Sequence, residues 1–298
     1  MWGGIVQELD LETGEVLFEW RSLEHVGIEE SYASIPDDPA FRYDYFHINS
    51  IDVDHDSNLL VSARNTWTVY KIDRKSGEIL WRLGGKRSDF EMGEGTRTAF
   101  QHDARRHEDG TISVFDNGAH PQVHEQSRGI VLRLDEEEMS ATLLREYVSP
   151  ETLVATSQGN LQLLPSGDAF VGWGSEPFFS EFSRDGELLF DARFPPGSES
   201  YRAFRFPWTG RPADEPAVVI EPRPEGRVAI YASWNGATEV AAWEVLSGPG
   251  PGLMAPLGSV PRDGFETAML AEATSRYLAV RALDRSGEVL GTSALVGL

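Results

Sequence analysis

Three stretches of this sequence carry polar residues of the kinds that do chemistry. The first is Asp44-Tyr-Phe-His47-Ile-Asn49-Ser50-Ile-Asp52, with Ser62-Ala-Arg64-Asn65 close behind it. The second is Trp81-Arg82-Leu-Gly84-Gly85, and the third is Phe100-Gln101-His102-Asp103-Ala104, followed by Val114-Phe-Asp116-Asn117-Gly118. A neutral imidazole is a competent nucleophile near pH 7, because its unperturbed pKa is about 6.5. Arginine stays cationic and offers a fork of donors to the oxygens of an anion. Among these residues His102, His47 and Arg64 could act catalytically, and Asn49, Asn65, Arg82 and the nearby Trp67 could contact a substrate. The rival reading is plain: a histidine at a strand start usually bonds a neighbouring sheet, and asparagines commonly finish strands and turns. Asp103, next to His102, would point to the opposite face of a strand unless the backbone bulges there. His120-Pro-Gln-Val-His124 has ligand-like spacing with Glu125 beside it. It lies in a Gly/Pro-containing loop with no other ligand converging in sequence, so no metal site is expected.

The elements that must hold these residues are short strands. Alternating or apolar runs at Ile5–Leu11, Asn58–Ser62, Thr68–Ile72, Ile79–Leu83, Thr111–Phe115, Ile130–Leu134 and Ala169–Trp173 are separated by Asp-Gly, Ser-Gly and Thr-Gly turns. No amphipathic helix is evident, and Asp135–Leu144 reads as a hairpin. A repeat emerges: Asp10-Leu-Glu-Thr-Gly-Glu-Val-Leu-Phe18 resembles Asp73-Arg-Lys-Ser-Gly-Glu-Ile-Leu-Trp81, with degraded copies at Asp135–Leu143 and Ser183–Phe190. Other hairpins turn at Asp56-Ser57, Asp109-Gly110 and Ser166-Gly167, giving units of four strands. Such units repeated radially make a β-propeller. Residues 1–22 supply only an outer hairpin, and about 47–83, 102–147 and 157–194 supply three fuller units. That count falls short of a closed propeller, so the expectation is either that N-terminal blades are missing or that the open edge is covered in another way, and an open arc can pair its edges in a homodimer. Clustered prolines between Pro207 and Pro224 mark a linker, after which the strand pattern suits an immunoglobulin-like β-sandwich with Trp243 as its core tryptophan. The expected fold is all-β, with a propeller over 1–210 and a fibronectin III/Ig-like sandwich over 211–298.

Composition narrows the classes. With 26 Lys plus Arg against 48 Asp plus Glu, the net charge of −22 repels nucleic acid and anionic lipid over most of the surface. The absence of cysteine removes disulfides, thiolate nucleophiles and cysteine–zinc sites. No apolar run approaches the roughly 20 residues that span a bilayer, and the start at Met1-Trp2-Gly3-Gly4-Ile5 does not read as a signal peptide. Against this background the basic cluster Arg82, Lys86, Arg87, Arg97, Arg105 and Arg106 is either a steering patch for anionic substrates or a solvated rim. Trp67 and Trp173, each after the second strand of its unit, either line an aryl pocket or pack between blades.

The order of the motifs (His-x-Asn-Ser, Ser-x-Arg, Arg-Leu-Gly-Gly, Gln-His, Phe-Asp-Asn-Gly) over about residues 1–210 resembles the arylsulfotransferase family, the PAPS-independent aryl-sulfate sulfotransferases. The following sandwich resembles the C-terminal appendage of actinobacterial members. The resemblance implies a six-bladed propeller of which this chain carries part. It implies transfer of a sulfuryl group from a phenolic sulfate ester to an acceptor phenol through a sulfohistidine on His102. His47 would help to hold the sulfate and Arg64 would stabilise its oxygens, with no metal or nucleotide cofactor. A further sulfate-contacting histidine of the family has no counterpart here; His25 precedes the first full unit without a motif match. The family is typically exported, which makes a secreted or cell-surface location the expectation. Two other classes stay open on the residues alone: a non-catalytic binding or cell-surface module, and an aryl-sulfate hydrolase in which water replaces the acceptor.

Overall fold

The computed structural model describes residues 1–298 apart from 39, 273 and 274. The chain is all-β and divides into two compact units, Met1–Arg205 and Phe206–Leu298. Among the described residues, helix is confined to a turn of α-helix at Ser22–His25 and two three-residue 3-10 turns. No helix among them is long and apolar enough to cross a membrane.

Unit 1 begins with a hairpin, β1 (Ile5–Leu9) and β2 (Val16–Arg21). A four-stranded antiparallel sheet follows, β3 (Ile48–Val53), β4 (Leu59–Ala63), β5 (Thr68–Ile72) and β6 (Ile79–Gly84), each pairing with the next. The third sheet is β8 (His102–Arg106), β9 (Ile112–Asp116), β10 (Arg128–Asp135) and β11 (Ser140–Val148); the two-residue β7 (Glu91–Met92) adds a parallel edge to β11. The fourth is β12 (Asn160–Leu163), β13 (Ala169–Gly172), β14 (Phe178–Phe182) and β15 (Leu188–Arg193). The expected hairpin and three fuller units are all present.

The repeated motif has a local cause. At Asp10, Asp73 and Asp135 the carboxylate Oδ1 accepts the backbone N–H groups two and three residues on, which bends the chain back between two strands. The fifth residue then takes left-handed φ, +72° at Gly14 and +76° at Gly77. In the degraded copy Met139 is forced to +50°.

Sheets pack face to face, and an apolar core lies in each interval. Val6 and Trp20 of the hairpin pack with Phe46, Val61 and Tyr70. Leu60, Val69 and Leu83 of the second sheet pack with Ile112, Val114 and Ile130 of the third. Phe115 and Val131 of the third pack with Leu161, Val171 and Trp173 of the fourth. Leu60 and Val61, adjacent on β4, therefore serve different cores, and β4 is buried at all five positions because both faces are covered. Strands β3 and β8 lie side by side, as do β8 and β12, so the first strands of the three sheets form one inner row.

Unit 2 contains β16 (Ala217–Arg223), β17 (Arg227–Ser233), β18 (Ala242–Gly248), β19 (Ala255–Pro261), β20 (Glu266–Glu272), β21 (Tyr277–Leu283), β22 (Val289–Thr292) and β23 (Val296–Gly297). One sheet is ordered β16-β17-β20, the other β19-β18-β21-β22 with β23 on β21. Trp243 is buried in the core with Ile230, Met269, Leu278 and Val280, drawn from both sheets.

Candidate active site

The site grows from the start of β8. His102 is 2% exposed and opens that strand opposite Phe115. Its Nδ1 faces two acceptors, the Asn117 Oδ1 at 2.7 Å and the Phe100 carbonyl at 3.1 Å. Its Nε2 meets a donor, the Gln158 N–H at 3.2 Å. These partners fix the tautomer: the proton sits on Nδ1 and the lone pair on Nε2. The Asn117 amide cannot turn over without loss, because its Nδ2 donates to the carbonyls of Ala155 at 3.0 Å and Gln158 at 2.9 Å. Asn117, directly after the end of β9, is thus the group that orients His102.

Arg64 and His47 lie close enough for their positive charge to oppose protonation of His102. Arg64 Nη1 donates to Asn65 Oδ1 at 2.9 Å and Nη2 to the Thr156 carbonyl at 3.0 Å, while the guanidinium rests 4.7 Å from the centre of the Phe100 ring. Burial lowers its pKa from the ordinary arginine value, and the Asp44 carboxylate works against that. His47 is half-exposed, and its Nδ1 donates to Asp44 Oδ2 at 2.5 Å. Asn65 Nδ2 donates to the Asp44 carbonyl, so Asp44, His47, Arg64 and Asn65 form one connected group. Asn49 is buried, and its Nδ2 donates to the Gln101 carbonyl at 2.6 Å, bracing the residue before His102. Gln101 itself is spent on the second sheet, donating to Ser62 Oγ and the carbonyls of Ala63 and Thr68.

The backbone here is strained. Of the eight described non-glycine residues with left-handed φ, five surround this group: His47, Trp67, Phe100, Asp103 and Gln158. Such conformations cost of order 1–3 kcal/mol each where side chains are not suited to them, and they gather at functional sites. At Asp103 (φ +53°) the pairing of β8 with β9 shifts by one residue between His102 and Arg105, a bulge. The backbone thus does bulge after His102, yet Asp103 turns away from the imidazole. It is buried against Arg105, 2.8 Å away, and Arg202, 3.1 Å away.

Burial is the main cause of a His102 pKa lowered to about 4; Arg64 and then His47 add to it, while the bonds to Asn117 and the Phe100 carbonyl oppose it. The imidazole is therefore neutral throughout the physiological range. Its proton NMR titration should show a midpoint near 4 instead of about 6.5. Because the unfolded chain takes up that proton at about 6.5 and the folded chain only near 4, His102 should withdraw stability as pH falls from about 6.5 to about 4. A midpoint above 6 would contradict the buried geometry.

Compared with known proteins, residues 1–195 match the model of the arylsulfotransferase (ASST) family. The chain belongs to the arylsulfotransferase family. None of the curated proteins matches it. Among solved structures, it is similar to a protein of unknown function from Bacteroides caccae, at 12% identity over 98% of this chain and 89% of that one, with a TM-score of 0.42. Virginiamycin B lyase from Staphylococcus aureus gives 10% identity, 99% and 77% coverage and a TM-score of 0.37. Hydrazine synthase from Kuenenia stuttgartiensis gives 10%, 89% and 70%, and 0.36. At TM-scores below 0.5 these likenesses say nothing about the chemistry of this arylsulfotransferase-family chain.

The other candidates sort as follows. Trp67 joins the site: it stacks on Tyr32, ring centroids 3.6 Å apart, and meets the edge of Phe100 at 5.0 Å. Arg82 is not brought to it; its guanidinium lies 3.5 Å from Glu30 and over the Tyr70 ring. Trp173 is fully buried against Phe115 and Phe182 and donates to Ser180, so it packs between sheets and lines no aryl pocket. Most of the basic cluster is committed to local partners. Arg87 pairs with Glu30, Lys86 Nζ donates to the Glu29 and Ser31 carbonyls, Arg105 pairs with Asp103, and Arg106 pairs with Asp54 and Glu136. His124 pairs with Asp116, which Arg128 also holds. Among the described residues no group of three or more His, Asp or Glu side chains is placed to hold a metal ion. His25 stacks on Trp20 and His107 bonds Ser113 Oγ. Sequence reasoning missed Gln158, Thr156, Tyr201 and Arg202 altogether, because nothing in a turn or an irregular tail announces which strand it will cross.

Proposed function

We propose that this chain transfers a sulfuryl group from a phenolic sulfate ester to an acceptor phenol through a sulfohistidine on His102. Family membership supports aryl sulfotransferase activity in general. The observation that carries the finer reading is the orientation of His102, with Nδ1–H held by Asn117, the Nε2 lone pair met by the Gln158 N–H, and the Arg64 cation near enough to oppose protonation of the ring.

In the first half-reaction Nε2 attacks sulfur, displacing the Gln158 N–H that marks the lone-pair direction. The S–O bond to the aryl group breaks and the phenolate leaves with the electron pair. The transition state is loose and spreads charge over three sulfuryl oxygens, which makes positioning and fixed positive charge the main levers. Arg64 supplies that charge. The positive charge that develops on the sulfated ring is held at Nδ1–H by Asn117. In the second half-reaction an acceptor phenol attacks sulfur, the N–S bond breaks, and His102 returns to its neutral form. His47, held through Nδ1 by Asp44, donates through Nε2 to the departing phenolate and takes the proton of the acceptor phenol in return.

The succession of four-stranded meanders, with an apolar core in each interval and an inner row of first strands, supports reading unit 1 as propeller blades. Two antiparallel sheets closing on Trp243 support a fibronectin III/Ig-like sandwich for unit 2.

The test is nitrophenolate release from 4-nitrophenyl sulfate with and without an added phenol. Release that rises with phenol concentration, together with formation of the phenol's sulfate ester, is the expected result. Release indifferent to phenol makes the protein a hydrolase, and no release leaves a binding module.

A further inference from the structure

The family match ends at residue 195, yet the chain continues through the site beyond it. Residues 200–205 run extended alongside β12 without forming a backbone ladder. Side-chain amides of alternate strand residues do the pairing instead. Asn160 donates to the Ala203 carbonyl and accepts from the Ala203 N–H, both at 2.8 Å. Gln162 donates to the Arg205 carbonyl at 3.0 Å and accepts from the Arg205 N–H at 2.8 Å. The Gly159 N–H donates to the Tyr201 carbonyl at 3.0 Å. Gly172 makes room for the approach, since a Cβ there would lie 2.4 Å from Asn160 Oδ1 and 2.8 Å from Ala203 N. From this run Arg202 reaches across the inner row, donating to the Asn49 carbonyl at 2.8 Å and pairing with Asp103 on the bulge.

These restraints fix the backbone on both sides of Tyr201. Its ring meets His102 nearly edge to face, 6.3 Å between centroids and 71° between planes, and the Arg202 guanidinium lies 5.4 Å from its centre. The residue is still 49% exposed. A rigid aromatic ring, half open to solvent and set against a buried imidazole, is a surface suited to another aromatic ring. We propose that Tyr201 is a specificity-determining wall for the aryl group of the sulfate ester, held in place by Arg202 as a positioning residue. The inference rests on the reading of His102 as the sulfuryl acceptor.

Binding of 4-toluenesulfonate and of inorganic sulfate, measured by calorimetry, tests it without turnover. Toluenesulfonate presents an aryl ring and an anionic head that cannot be transferred, whereas sulfate presents the anion alone. In Tyr201→Ala, affinity for toluenesulfonate should fall about five- to ten-fold while affinity for sulfate stays within about two-fold, and Tyr201→Phe should match the wild type. Retained sulfate binding also reports an intact site. Unchanged toluenesulfonate affinity in Tyr201→Ala would overturn the proposal. So would a parallel loss of both anions in Tyr201→Ala and Tyr201→Leu, which makes the residue merely structural. A wild-type protein that shows the expected pattern but moves no sulfuryl group to a phenol would sink the transferase reading and support the wall. One that binds neither anion would sink both.

Discussion

Asparagine in place of His102 should leave a folded protein without transferase activity, with kcat/KM reduced on the order of 10⁴-fold or more. The His102 side chain holds its lone pair in one direction and is neutral at working pH, with its pKa near 4. In the proposed mechanism the substitution removes the nucleophile, and with it the covalent route, and leaves only what the remaining charges do for direct attack. Asparagine is the informative replacement. Its amide can still donate toward the Phe100 carbonyl and the Asn117 Oδ1 that now receive Nδ1–H, so no buried acceptor is orphaned. Nitrophenolate release beside a thermal melt checks both halves of the expectation. A variant that keeps more than about 1% of the rate would assign the sulfuryl acceptor elsewhere.

Replacing Arg64 by Met should lower kcat about 10²- to 10³-fold, the range seen when a preorganised donor to developing negative charge is deleted. This variant carries a second signature. Arg64 opposes protonation of His102, so its removal should raise the His102 titration midpoint above about 4, while burial, the larger cause, keeps it below the roughly 6.5 that an unfolded chain would show. Arg64→Lys should keep the low midpoint and recover only part of the rate. Lysine restores the charge but cannot hold Asn65 Oδ1 and the Thr156 carbonyl from separate nitrogens of one planar fork. An Arg64→Met protein with an unmoved midpoint would place the guanidinium too far from His102 to serve the reaction.

The strands and their grouping were legible because they depend on local chemistry. Asp10, Asp73 and Asp135 bend the chain through their own side chains, and the alternation of Leu60 and Val61 between two cores follows from the pleat. His102, His47 and Arg64 were legible as an ordered set of motifs, and the structure brings them together. Arg82 belonged to the same set, but the carboxylate that claims it, Glu30, lies in an irregular segment with no periodicity to reveal its position. Asn117 was visible as a residue and opaque as a role, since its use depends on three partners drawn from residues 102, 155 and 158. Trp67 and Trp173 both follow the second strand of their units, Trp67 just before β5 and Trp173 just after β13, and the structure gives them different surroundings. One faces Tyr32 and Phe100 at the site, and the other is enclosed between the third and fourth sheets.

The reach of Arg202 to the Asn49 carbonyl joins residues 153 positions apart. Synthesis proceeds from the N-terminus, and contacts of such long sequence separation form late because the intervening chain must first be ordered. The hairpin and the second and third sheets can assemble on the ribosome while the surroundings of His102 still lack Gln158, Thr156 and Tyr201. Completion of the site is thereby deferred until nearly the whole of unit 1 has emerged, and a truncated or stalled product would contain His102 without the residues that orient and bury it.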